Sequence, residues 1–224
     1  PEGLRNIAHR IHAYAGYLAE QLEAMGYKQL NDNFFDTLYI ELPEGLAAEK
    51  LREIALDCQV NLRYYEDGRH IGISIDETTL ESDLSVLLYI FAQLQGKEGD
   101  IEGVEVNETK VYFDKKFARQ SDFLQYDTFQ KYHSETELMR YIKRLDRKDI
   151  SLAQSMISLG SCTMKLNAAS EVAQLSNPQF ANIHPYAPDD QVEGYLEMIR
   201  NLSALLCEIT GMKGASLQPN SGAA

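Results

Sequence analysis

Apolar residues recur at three- and four-residue steps from Leu4 through Ile7, Ile11, Ala15, Leu18 and Leu22 to Met25. That spacing predicts a long helix with one apolar stripe, and Gly26 follows as a C-terminal cap. The period then drops to two at Leu38, Ile40 and Leu42, a strand ended by Pro43. A second helical stripe runs through Leu46, Leu51, Ile54, Ala55 and Cys58. Val60, Leu62 and Tyr64 alternate, as do Ile71, Ile73 and Ile75, and Asp67-Gly68 between them is a preferred hairpin turn pair. Leu84, Leu87, Leu88, Phe91 and Leu94 return to the helical period before Gly96. The order predicts a small α+β domain over residues 1–96, with helices on one face of a small antiparallel sheet. Tyr64, Tyr65 and Phe91 are expected as core or rim aromatics, and His9 and His12 as solvated or half-buried.

Residues 97–133 read as a linker, because 97–108 concentrate glutamate, aspartate and glycine against one lysine. Val104-Val106 or Val111-Phe113 could supply a short strand. Ser134 and Glu137 have the spacing of a capping box, opening a helix through Leu138, Ile142 and Leu145. Lys143, Arg144, Arg147 and Lys148 sit at its end, where positive charge complements the dipole. Asn167 is placed to cap a short helix through Val172 and Leu175, broken at Asn177-Pro178, and 183–188 is a proline-clamped turn. Asp189 and Asp190 open a last helix with the stripe Tyr195, Ile199, Leu202, Leu206 and Ile209, stopped by Gly211. Ala215-Ser216-Leu217 reads as a strand leading into Asn220-Ser221-Gly222-Ala223. Residues 134–224 are thus a mostly helical region.

The net charge of −13 argues against nucleic acid or an anionic membrane as partner, since both need a basic face. It leaves room for a locally positive pocket. Cys58, Cys162 and Cys207 are too scattered for a disulfide framework or zinc site. Cys58 and Cys207 fall on apolar helix faces as small buried hydrophobes, which fits a reducing compartment. The first residues are not a signal peptide, and no apolar run has spanning length. Pro1-Glu2-Gly3 enters a helix without an initiator methionine, and Asn220–Ala224 stops within a loop, so the chain is expected to be a fragment.

Chemistry concentrates in Leu159-Gly160-Ser161-Cys162-Thr163-Met164-Lys165-Leu166-Asn167, an aperiodic run of small hydrogen-bonding residues, a thiol and an amine. A serine–lysine pair on one helix face needs three-residue spacing; here it is four. Lys165 as a Schiff-base amine lacks neighbours that would desolvate it. The turn at Ser221, Gly222 and Ala223 has the small residues that let backbone N–H groups approach a phosphate.

The 160–167 run resembles a hallmark of the glycine decarboxylase P-protein family. Residues 132–137, 148–152, 182–186 and 218–223 are similar to that family in the same order, and 72–78 resembles its preceding half. The resemblance implies a pyridoxal 5′-phosphate enzyme of two related fold-type-I halves, assembled as a dimer of halves or subunits. Residues 1–96 would close the first half, and 134–224 would be the truncated N-terminal part of the second, catalytic half. It further implies decarboxylation of glycine and transfer of the aminomethyl group to the lipoyl arm of the H-protein. Ser161, Thr163, Lys165 and His184 are then the catalytic-site candidates, and Ser221, Gly222 and Ala223 the cofactor-phosphate turn. The family's Schiff-base lysine lies beyond Ala224, so the fragment is expected to be inactive. The compartment implied is a bacterial cytoplasm, or the mitochondrial matrix in a eukaryote. The alternative is a regulatory amino-acid-binding module, which requires residues 104–113 to pair into the sheet as a fourth strand.

Overall fold

The computed structural model describes residues 1–97, 103, 104, 106, 110–150, 154, 156, 168–218 and 220. The chain divides into two compact units, Pro1–Lys131 and Tyr132–Ala224.

The first unit runs α1 (Glu2–Ala24), β1 (Lys28–Gln29), β2 (Thr37–Glu41), α2 (Ala48–Asp57), β3 (Arg63–Tyr64), β4 (His70–Ser74), α3 (Glu81–Leu94) and the single turn α4 (Thr128–Lys131). The sheet order is β1-β2-β4-β3, with every neighbouring pair antiparallel. Leu38 lies opposite Ile73 and Ile40 opposite Ile71, so the alternating apolar residues share one face. That face is buried with Leu18 and Leu22 of α1, Leu51 of α2 and Phe91 of α3. Tyr27 meets Phe91 edge-on at 4.9 Å between ring centres, and its hydroxyl donates to the Phe91 carbonyl at 2.6 Å. The opposite face is polar: Tyr39 packs on His70 and Tyr65, and Glu41 pairs with Lys28 and Arg69.

Local chemistry fixes the connections. Gly26, Gly68 and Gly96 all adopt positive φ, as helix ends and a hairpin turn require. Asp67 accepts from the backbone N–H of Arg69 and His70 and faces the His70 ring, which holds its carboxyl at about 2. After β4, Asp76 accepts from the hydroxyl and N–H of Thr78 and the N–H of Thr79, bonds that also lower its carboxyl. The family-like run 72–78 is therefore the end of a strand and a carboxylate-centred turn.

Several expectations need correction. β1 was not foreseen; two residues show no periodicity, and its geometry comes from Gln29, whose side-chain oxygen accepts from the N–H of Leu30 and Tyr39. None of the described residues within 103–113 is a strand: the Tyr112 N–H is used by His12 and the Asp114 N–H by Asn33. Among the described residues the binding-module alternative therefore has no fourth strand to draw on. His12 is buried at 5 % exposure, not solvated or half-buried. Cys58 and Cys207 are half-buried free thiols, because Cys58 follows the last turn of α2 and no described residue of the Cys207 helix is buried.

The second unit holds α5 (Glu135–Asp146), α6 (Ala169–Ala173), α7 (Pro178–Ala181) and α8 (Glu193–Thr210). The Ser134 hydroxyl accepts from the Glu137 N–H at 3.3 Å, as a helix N-cap does. The residue capping α6 is Ala168; Asn167 lies outside the described residues. Asn177 accepts from the Gln179 N–H and opens α7, with Pro178 in its first turn. Asp189 and Asp190 form a short 3₁₀ turn, and α8 begins at Glu193. Gly211 ends it at φ 72°, its N–H on the Cys207 carbonyl. Residues 215–217 are irregular rather than a strand, and the described residues of this unit include no strand to pair with them.

Candidate functional site

Ser161, Thr163 and Lys165 lie outside the described residues, as do Ser221, Gly222 and Ala223. His184 is described. It sits in the turn after α7, exposed, with Pro185 behind it. Its Nδ1 accepts from the Tyr186 N–H at 3.1 Å, and its carbonyl accepts from the Ala187 N–H at 2.9 Å. The acceptor role at Nδ1 puts the proton of the neutral ring on Nε2, which has no partner among the described residues. The result is an imidazole with its ring held by backbone and its donor edge turned outward. The structure brings no other candidate residue to it among those described.

The basic end of α5 is partly organised. Lys143 pairs with Asp146. Arg144 donates to the Tyr132 hydroxyl and lies 5.5 and 5.2 Å from the centres of the Tyr132 and Tyr141 rings. Those rings stack at 4.2 Å, so Arg144 fixes the entry into α5 by cation–π contact.

A second centre, in the first unit, escaped the sequence reading. His12 on α1 has its Nδ1 2.7 Å from the Phe35 carbonyl, and its Nε2 accepts from the Tyr112 N–H at 2.9 Å. One ring nitrogen must donate and the other accept, so the ring is the neutral tautomer with its proton on Nδ1. Phe35 stacks on it at 5.5 Å between ring centres, and Tyr112 and Phe113 close round it. Gly16, one turn on, has no Cβ to hold the Tyr112 ring away. The only sequence trace of this centre was the four-residue spacing of His12 and Gly16, which puts both on one helix face.

Among the described residues no group of acidic, histidine and cysteine side chains is gathered to hold a metal ion. No described helix is long and apolar enough to cross a membrane.

Comparison with known proteins places these features in context. Residues 1–91 match the family model described as the glycine cleavage system P-protein. Over 100 % of its length the chain is 57 % identical to glycine dehydrogenase (decarboxylating) of Bacteroides thetaiotaomicron, of which it covers 23 %. It is 48 % identical over 99 % of its length to the enzyme of the same name from Thermosynechococcus vestitus, covering 22 % of that protein. It is 47 % identical, over 99 % of its length, to the mitochondrial glycine dehydrogenase (decarboxylating) of Gallus gallus, again covering 22 %. The chain thus spans less than a quarter of the curated relatives it matches.

Proposed function

We propose that this chain, which belongs to the glycine cleavage system P-protein family, works as part of a pyridoxal-phosphate-dependent glycine dehydrogenase (decarboxylating). The observation that carries this reading is the 57 % identity over the entire chain, which includes the 160–167 run. The reaction is loss of the carboxyl group of glycine followed by transfer of the aminomethyl group to the lipoyl arm of the H-protein. Residues 1–96 are the small α+β domain closing the first half of the parent. Residues 97–133 link it to 134–224, the N-terminal part of the second, catalytic half, which is of fold type I. The working enzyme is a dimeric assembly of related halves or subunits, in a bacterial cytoplasm; relatives occur both in bacteria and in mitochondria.

Pyridoxal 5′-phosphate would supply an electron sink for the pair left when the carboxyl group departs. Of the residues assigned to that site, His184 is the one the structure describes. An exposed imidazole with Nδ1 held by backbone and Nε2 protonated fits a flat, anionic group, because it offers both a ring face and one donor. Its role is to orient by a single N–H bond, with the ring held by the Tyr186 N–H at Nδ1. Ser161, Thr163 and Lys165 have the hydroxyl and ammonium chemistry to hold a substrate carboxylate. Ser221, Gly222 and Ala223 have the small side chains that a phosphate turn needs.

Lys165 does not serve as the Schiff-base lysine, and the 224 residues alone have no decarboxylase activity. Incubating the chain with pyridoxal 5′-phosphate, reducing with borohydride and mapping the adducts by mass spectrometry tests both statements. The expected result is scattered, substoichiometric labelling of exposed lysines and no release of labelled carbon dioxide from glycine. A stoichiometric adduct confined to Lys165 would overturn the assignment.

A further inference from the structure

The apolar stripe of α1 runs past the core it serves. Leu4, at its first turn, is 54 % exposed. Alongside it lies the segment 110–123, pinned to the unit through the Tyr112 N–H on His12 and the Asp114 N–H on Asn33 at 2.6 Å. Between helix and segment is a cleft of about 870 Å³, within the usual range of small-molecule sites. Its lining includes the rings of His12, Phe34, Phe35, Phe113, Phe117 and Phe123. Phe117 is 61 % exposed, leaving apolar surface in water.

Charge gives the cleft a direction. The chain as a whole carries −13, yet the cleft is lined by Arg5, Lys110 and Arg119 against a single carboxylate, Asp122. Lys110 is engaged by Glu20. The guanidinium carbons of Arg5 and Arg119 both lie over the Phe123 ring, 5.2 and 5.5 Å from its centre. Asp122 reaches Arg5 only at 4.0 Å with both side chains largely exposed, a pair of little strength. Two planar cations therefore stand over one phenyl ring beside an aromatic trough. Guanidinium groups favour bidentate contact with carboxylates.

We propose that this cleft is a binding site for a small aromatic carboxylate, its ring among the phenyl groups and its carboxylate between Arg5 and Arg119. The proposal does not depend on the decarboxylase reading.

The test is a titration of the 15N-labelled 224-residue chain with 3-phenylpropionate and, separately, with its uncharged amide. The acid should shift the backbone amides of Phe35, Phe113 and Phe123 saturably and bind about tenfold more tightly than the amide, the worth of one charge-assisted contact. The double substitution Arg5→Gln, Arg119→Gln should erase that preference. Both side chains are on the surface, so the melting temperature should not move, which separates lost recognition from lost folding. Rising ionic strength should weaken the acid alone. Equal affinity for acid and amide, shifts confined to the apolar face of α8, or no saturable shift at all would each overturn the proposal.

Discussion

The two units of this chain contain similar helices and opposite interiors. Every buried residue among those described precedes Gln95. In the first unit a strand face, three helices and Tyr27 enclose one continuous core. In the second, α5 and α8 carry well-formed apolar stripes, yet Leu138, Ile142, Tyr195, Met198, Leu202 and Leu205 are all exposed. The difference is not in the helices themselves. A stripe becomes stabilising only when a second surface removes it from water. The first unit supplies that surface with its own sheet, whereas the described part of the second has no sheet. Relatives several times longer than this chain have the additional length to cover such faces.

Single truncations should expose the contrast most strongly. Phe91, fully buried, should cost about 3–5 kcal/mol when replaced by alanine, a large share of the total stability of a domain. Leu202→Ala, at a position 46 % exposed, should change stability by less than about 0.5 kcal/mol. Urea denaturation followed by far-ultraviolet circular dichroism measures both. A loss of several kcal/mol for Leu202→Ala would show that α8 is packed in solution and would break the comparison. In the full-length parent the same substitution should cost more, because there the face is expected to be covered.

The next effect is local and concerns the segment docked on α1. A Cβ on Gly16 would fall inside the Tyr112 ring, so Gly16→Ala should push that ring out. The same change removes a glycine from a helix interior, worth about 1 kcal/mol in favour of the helix. The two effects oppose each other, and global stability should move little. Hydrogen exchange at the Tyr112 and Asp114 amides, bonded to His12 and Asn33, should nevertheless quicken by about tenfold, for a local loss of about 1.4 kcal/mol. Unchanged exchange at both amides would mean that Gly16 does not set the docking of this segment.

How much of this was legible beforehand follows the range of the interactions. The stripes of α1, α2 and α3, the hairpin at Asp67-Gly68 and the capping pair Ser134 and Glu137 depend on neighbours a few residues apart, and the sequence pattern carries them. β1 depends on the side chain of Gln29 reaching across to Tyr39, which no periodicity encodes. The docking of Tyr112 on His12 joins residues 100 positions apart, so His12 read as a solvated or half-buried histidine. The 160–167 run is the reverse case: its chemistry was recognisable by resemblance alone, with no pattern that assigns a role to each group.

The smallest effect separates two buried phenols within the first unit. Burial pushes the hydroxyls of both Tyr27 and Tyr64 up to about 12. Tyr27 donates to the Phe91 carbonyl; the Tyr64 oxygen is enclosed with no hydrogen-bond partner among the described residues. Tyr27→Phe should therefore cost about 1 kcal/mol, the net worth of a typical internal hydrogen bond. Tyr64→Phe removes a polar atom that gains nothing inside, and should be neutral or stabilising by up to about 1 kcal/mol. The pH dependence follows from the same burial. A phenol whose folded value is raised from 10 to about 12 favours the folded state in full below 10, and that contribution is lost as pH rises from 10 towards 12, where the unfolded chain ionises first. Stability of the parent should fall across that window, and less steeply in either phenylalanine variant. Urea midpoints measured at neutral pH and through the alkaline range decide it: a large loss for Tyr64→Phe would mean that its hydroxyl finds a partner in solution, and the distinction between the two tyrosines would fail.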